Sequence, residues 1–229
     1  MDIDYWSVIT DYKSTSQILS SAGFGQMVAR PMAKQSERRA ATRSAITTAA
    51  RTLFGTQGFA VTTVDAIAIA AGVAKGAIYH HFETKEALFE AVFETVSAEL
   101  AREVFDESLA ARDVLAAIDE GTRLYFEKCT RGPTGRIVLK DGPAVLGWER
   151  WRALDLRYFG GMMPRGLDAA MRAGLIARQP VEPLAGLLLG AVNEAAVACA
   201  ASSEPGAVAQ GYSDALAALL NGLRVRESV

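Results

Sequence analysis

Apolar residues recur at helical spacing along most of the chain. Ile46, Ala50, Leu53 and Phe54 form one stripe of a helix expected over Glu37–Gln57, with Ser36 as its cap and Gly58 at its end. Leu88, Phe89, Val92, Phe93, Val96 and Leu100 repeat the pattern after Thr84 and predict a helix running past Val104. Between these lie two short helical segments, Val64–Ala71 behind Thr63 and Ala74–His81, joined by Gly72-Val73. Further helices are expected over about residues 111–130, 136–141, 143–160, 164–175, 181–202 and 204–223, divided by Gly- and Pro-containing turns. The run Arg136–Lys140 reads as strand or helix; no other stretch alternates as a strand would. The 41 alanines favour helix throughout. The expected fold is therefore all-α. Residues 1–36 form an extension, residues 37–98 a small helical domain and residues 99–229 a larger one.

Length, charge and cysteine content narrow this picture. A chain of 229 residues buries a sizeable core, and two cysteines, Cys129 and Cys199, supply neither a disulfide framework nor a structural zinc site. Asn193 and Glu194 interrupt the most apolar stretch, so no membrane span is expected. The N-terminus has neither the basic start nor the apolar run of a secretory signal, which makes the cytoplasm the expected compartment. The net charge of -2 argues against nucleic acid until its distribution is considered. Arg30, Lys34, Arg38, Arg39, Arg43 and Arg51 stand against Glu37 alone, a local charge of +5 entering the first helix. The local field, not the average, is what a partner meets.

Two short helices around a glycine turn form a helix-turn-helix candidate over about residues 64–83. Ile67, Ala68, Ala71, Val73, Ile78 and Phe82 are the set able to pack on the first helix. That leaves Lys75, Gly76, Ala77, Tyr79 and His80 facing outward. Gly76 and Ala77 permit close approach to bases, Lys75 can donate to guanine, and Tyr79 and His80 can reach phosphate. Thr63 and the free N–H groups behind it can hold another phosphate, and Lys85 a further one.

The run Thr63–Leu88 closely resembles the DNA-binding segment of TetR-family transcriptional regulators, through Thr63, Ile67-Ala68, Ala71-Gly72-Val73, Gly76, Tyr79, His81-Phe82 and Lys85. The resemblance is tight over about residues 37–98. It implies an N-terminal three-helix DNA-binding domain and a C-terminal helical domain for effector binding and dimerisation. It also implies a homodimer on double-stranded, palindromic operator DNA, released by a small molecule. Carried over by position, Lys75, Gly76 and Ala77 would meet bases and Thr63, Tyr79, His80 and Lys85 phosphates, while His81 would help seat the recognition helix. Arg43 joins the expected DNA-contacting set from the basic block, and Arg30 and Lys34 could add backbone contacts.

Elsewhere the chemistry is sparse. His80 and His81, adjacent on a helix, make a poor metal pair, and no cofactor or metal is expected. Phe105, Tyr125, Trp148, Trp151, Tyr158 and Asn193 are candidate lining of an effector pocket, with Arg152 and Asp155 as orienting polar groups. Leu184, Leu188, Ala191, Leu216, Leu219, Leu220 and Leu223, with Gly186 and Gly190, are more apolar surface than one stripe needs and form a candidate dimer seam. Two other classes remain open at this point. A helical adaptor could have kept the motif without binding DNA. A small helical enzyme is the other, although no nucleophile–base pair, metal set or phosphate loop is visible.

Overall fold

A computed structural model describes residues 30–225; of the extension expected over residues 1–36, the stretch 1–29 lies outside the described residues, as do the side chains of Arg30 and Lys34. The first helix, α1 (Arg30–Gln57), starts earlier than expected, so Ser36 lies inside it and does not cap it. The reason is local: Pro31 is well placed in a first turn, and the Ala, Lys, Gln, Glu and Arg that follow contain no breaker. Of the described residues, 30–41 belong to one unit and 42–225 to another. Within the first, the described residues 30–41 are helical.

The second unit opens with the remainder of α1, then α2 (Val64–Ala71), α3 (Lys75–His81) and α4 (Lys85–Ser108). Thr63 caps α2 by accepting from the Ala66 N–H at 3.1 Å, and Thr84 caps α4 by accepting from Ala87 at 3.0 Å. Gly72 ends α2 at φ +66°, a left-handed conformation that costs glycine nothing and turns the chain sharply into α3. Ile46, Ala50 and Phe54 of α1 meet Ile67 and Ala68 of α2, Ile78 of α3, Phe82, and Leu88 and Phe89 of α4 in one buried cluster. The Phe89 ring meets the edges or faces of Phe54 and Phe59, at 5.4 and 5.3 Å between centroids.

The C-terminal part comprises α5 (Val114–Cys129), a short α6 (Gly132–Gly135), a π-helical turn over Arg136–Asp141, α7 (Gly142–Leu146), α8 (Trp148–Phe159), α9 (Met162–Arg172), α10 (Val181–Ala201) and α11 (Pro205–Gly222). Among the described residues β pairing is confined to an isolated bridge between Ile176 and Arg224. Three spans differ from the sequence reading. The ambiguous run Arg136–Lys140 is a π-turn continuing directly from α6. The helix expected over 143–160 is broken at Gly147, and α9 begins at Met162. Helix α4 runs unbroken to Ser108, as expected of a helix passing Val104. Helix α4 packs on α5 and α8, and α5 packs on α9 and α11.

Helix α10 is long and apolar enough to cross a membrane on length and composition, so Asn193 and Glu194 do not exclude that by themselves. Here it packs along α9 and α11, with Asn193 buried and Glu194 exposed.

Candidate nucleic-acid interface

Helix α3 is anchored by Ile78 and Phe82, 2 % and 5 % exposed. Its other face is open: Lys75, Gly76, Tyr79 and His80 are exposed and Ala77 is half-buried. A side chain added at Gly76 would meet nothing within 4 Å, so that surface is free for close approach by a base edge. The Lys75 ammonium lies 2.9 Å from Asp65 of α2, and the hydrogen bond and charge of that carboxylate raise the Lys75 pKa. Both side chains are exposed, so the pair is screened and easily exchanged for a stronger anion. Thr63 is exposed; its Oγ1 is committed as acceptor to α2, which leaves its hydroxyl proton for a phosphate oxygen.

Two of the expected DNA contacts have other partners. Arg43 donates from Nη1 to the His81 carbonyl at 3.3 Å and lies 4.3 Å over the Phe82 ring, fixing the end of α3. Lys85 donates to the carbonyls of Phe59 and Thr62 at 2.9 and 3.0 Å and lies 4.0 Å over the Phe59 ring. Each cation thus ties backbone carbonyls of this helical bundle together.

Helix α4 carries the acidic surplus of the chain, and that surplus is internally matched. Glu90 pairs with Arg150 and Glu94 with Arg157 of α8. Glu99 pairs with Arg51 of α1, and Glu103 and Glu107 with Lys128 of α5. A cleft of about 160 Å³ lies among these groups, lined by Arg51, Val96, Glu99, Leu100, Glu103, Lys128 and Thr134. Its lining is largely charged and shares no residue with the aromatic set expected to line a pocket.

That aromatic set is scattered. Trp148 and Arg152 are exposed, Phe105 and Tyr158 half-buried, and Tyr125, Trp151 and Asn193 buried. Trp151 is core: its Nε1 donates to the Val138 carbonyl at 2.9 Å. Burial raises the Tyr158 pKa, with Glu94 adding to it. The structure does bring Tyr125 to Asp155, with the hydroxyl 3.5 Å from the carboxylate. Burial pushes Asp155 up to about 6 against that hydrogen bond. Cys129 and Cys199 are free, buried thiols, and burial raises the pKa of both.

The expected seam residues also divide. Leu188, Leu216 and Leu220 are buried within the protomer, while Leu184, Ala191 and Leu223 are half-buried. Leu187, Leu219 and Val197 are exposed, the first two at 74 % and 58 %, and Gly186 and Gly190 carry nothing within 4 Å of where a side chain would stand. Leu187 belongs to the apolar surplus read from the sequence, whereas Val197 was not singled out there. On two helices apolar all round, periodicity gives no phase.

Residues 46–92 match the family of bacterial regulatory proteins called tetR, and residues 115–223 match a tetracyclin repressor-like C-terminal domain. The chain is 32% identical over 181 residues to the HTH-type transcriptional repressor BepR of Brucella suis, covering 71% of this chain and 82% of that protein. It is 33% identical over 91 residues to the repressor KstR2 of Rhodococcus jostii, 38% of this chain and 45% of that protein. With the first of the curated relatives, then, the similarity spans about half the length of the relative. A crystal structure of a TetR-family transcriptional regulator from Pectobacterium atrosepticum superposes with a TM-score of 0.75 at 32% identity, over 83% of this chain and 97% of that one.

Proposed function

The chain belongs to the tetR family of bacterial regulatory proteins, and from that premise we propose that it is a sequence-specific DNA-binding repressor of transcription. It acts in the cytoplasm as a homodimer and leaves a palindromic operator when a small molecule binds the C-terminal helices. The observation that carries the reading is the open face of α3, with Lys75, Gly76, Ala77, Tyr79 and His80 outward on an apolar anchor. Such a face fits the major groove: a lysine for guanine, small residues for close approach and polar groups at the phosphate edge. Repression follows the relatives, which are repressors. Fluorescence anisotropy with a palindromic fragment from upstream of its own gene tests it. Binding that exceeds a scrambled duplex by at least about 10³-fold is expected. Equal affinity for both duplexes refutes it and favours an adaptor that has kept the fold.

The dimer rests on the outward face of α10 and α11. Leu187, Val197 and Leu219 would give the seam its apolar area, and Gly186 and Gly190 would let a second copy's helices approach closely. A Leu187→Glu, Leu219→Glu variant is expected to sediment as a monomer with its helical circular dichroism retained and its half-site cooperativity lost. A dimer that survives the double change moves the interface to another face.

A further inference from the structure

Phe59, between α1 and α2, is held at three points by two distant parts of the chain. Its N–H donates to Asp141 Oδ2 at 2.8 Å, and Asp141 ends the π-turn of the C-terminal part. Its carbonyl accepts from Lys85 Nζ, which also lies over its ring. The neighbouring bonds extend the grip in both directions. Arg136, at the start of the same π-turn, donates to the Gln57 carbonyl at 3.2 Å. Lys85 also holds the Thr62 carbonyl, and the buried Thr62 hydroxyl donates to the Gly58 carbonyl at 2.7 Å. The next residue, Thr63, caps α2. Gly58 sits at φ +93°, where an added side chain would fall 2.9 Å from the Arg136 guanidinium and 3.4 Å from the Asp141 carboxylate. The two surfaces are therefore fitted to each other across this residue. A hydrogen-bonded route thus runs from the π-turn to the cap of α2. It does not pass through the length of α4. π-turns inside helices recur at functional positions because they cost hydrogen-bond geometry that must be recovered elsewhere. Here the turn ends on the carboxylate that holds the reading head.

We infer that Lys85 and Asp141 are positioning residues: by gripping Phe59 they set the loop over residues 58–63 that aims Thr63 and α2, so operator reading depends on the C-terminal π-turn as well as on α3. This rests on the DNA-reading function proposed above. Two of the three N–H donors of Lys85 hold the loop carbonyls, a role additional to the phosphate contact expected of it.

The full-length protein, with Lys85→Met and Asp141→Ala made singly, separates the possibilities. A lost phosphate ligand lowers the salt dependence of binding, by about 0.9 per contact, and weakens all DNA alike. A lost positioning residue lowers operator affinity roughly tenfold or more beyond any loss on scrambled DNA, and in Asp141→Ala, which removes no cation, leaves the slope unchanged. Hydrogen exchange of the Phe59 amide in the free protein is expected to accelerate at least tenfold in Asp141→Ala, which touches no residue expected to meet DNA. A loss in Lys85→Met that is equal for operator and scrambled DNA overturns the positioning role of Lys85. Unchanged Phe59 exchange together with unchanged operator discrimination in Asp141→Ala overturns the junction. Failure of the unaltered protein to distinguish operator from scrambled duplex overturns the DNA-reading premise instead, and the exchange arm still reports on the grip.

Discussion

A Lys75→Ala, Tyr79→Ala variant is expected to bind operator DNA on the order of 10²–10⁴-fold more weakly while remaining a folded dimer. Both side chains are exposed on the open face of α3, and neither contributes to the cluster of Ile67, Ile78 and Phe82 that anchors it. Lys75 has one protein partner to lose, Asp65, and that exposed pair does not hold α3 in place. On DNA its ammonium would leave Asp65 for a guanine edge. Losing a good base contact costs roughly tenfold to a hundredfold per half-site, and a dimer loses it twice. Tyr79 adds the loss of a phosphate donor, so the salt slope should fall as well. Anisotropy at three or more salt concentrations reads both effects. Unchanged operator binding would sink the assignment of α3 as the recognition helix. Loss of the dimer would instead place these residues in a structural role.

The reading head was legible because its determinants act within a few residues. Thr63 and Thr84 cap helices three residues away, Gly72 turns the chain on the spot, and the Ile67–Phe82 apolar set follows helical spacing. What the sequence hid is pairing at long range. Arg43 and Lys85 look like free cations beside a DNA-binding motif. In the protein they also hold carbonyls 38, 26 and 23 residues away, and backbone carbonyls have no signature in a sequence. Asp141 and Arg136 were missed for the same reason, since Phe59 and Gln57 lie 82 and 79 residues from them. Phase was the other loss. Trp148 and Trp151 are close in sequence and their rings are 5.1 Å apart, yet Trp148 is 45% exposed and Trp151 only 1%. Trp148 opens α8 directly after the break at Gly147 and Trp151 lies one turn in, a placement that a run read as one helix over 143–160 cannot show. In α10 and α11 the surplus of leucine did signal a second apolar face. It did not say that Leu187 and Leu219 belong to it while Leu188, Leu216 and Leu220 belong to the core.

Asp155→Asn is expected to stabilise the protein at pH 8 by up to about 3 kcal/mol and to leave it unchanged or weaker at pH 4. The Asp155 carboxyl is 5% exposed, in the buried interior with Trp151 and Leu154, and Tyr125 is its hydrogen-bond partner at 3.5 Å. Burial disfavours the charged form and pushes the group up to about 6. In the unfolded chain an aspartate titrates near 3.9. Between these values the folded state holds a proton that the unfolded state has lost, so stability falls as the pH rises from about 4 to about 6 and then stays level. Each unit between the two pKa values is worth about 1.4 kcal/mol, which gives roughly 3 kcal/mol above pH 6. Asparagine carries no charge to desolvate and can still accept from Tyr125, so its stability should lack this fall. Urea unfolding at pH 4, 6 and 8, at one protein concentration because a dimer's stability depends on it, gives the comparison. Parallel pH profiles for the two proteins would show that Asp155 does not titrate on folding. Convergence at pH 4 and separation at pH 8 would mark it as a charge the fold retains at a cost. A group retained on those terms, beside the Tyr125 hydroxyl and the Tyr125–Phe159 ring pair, is then the first place to look for the hydrogen-bonding partner of an effector.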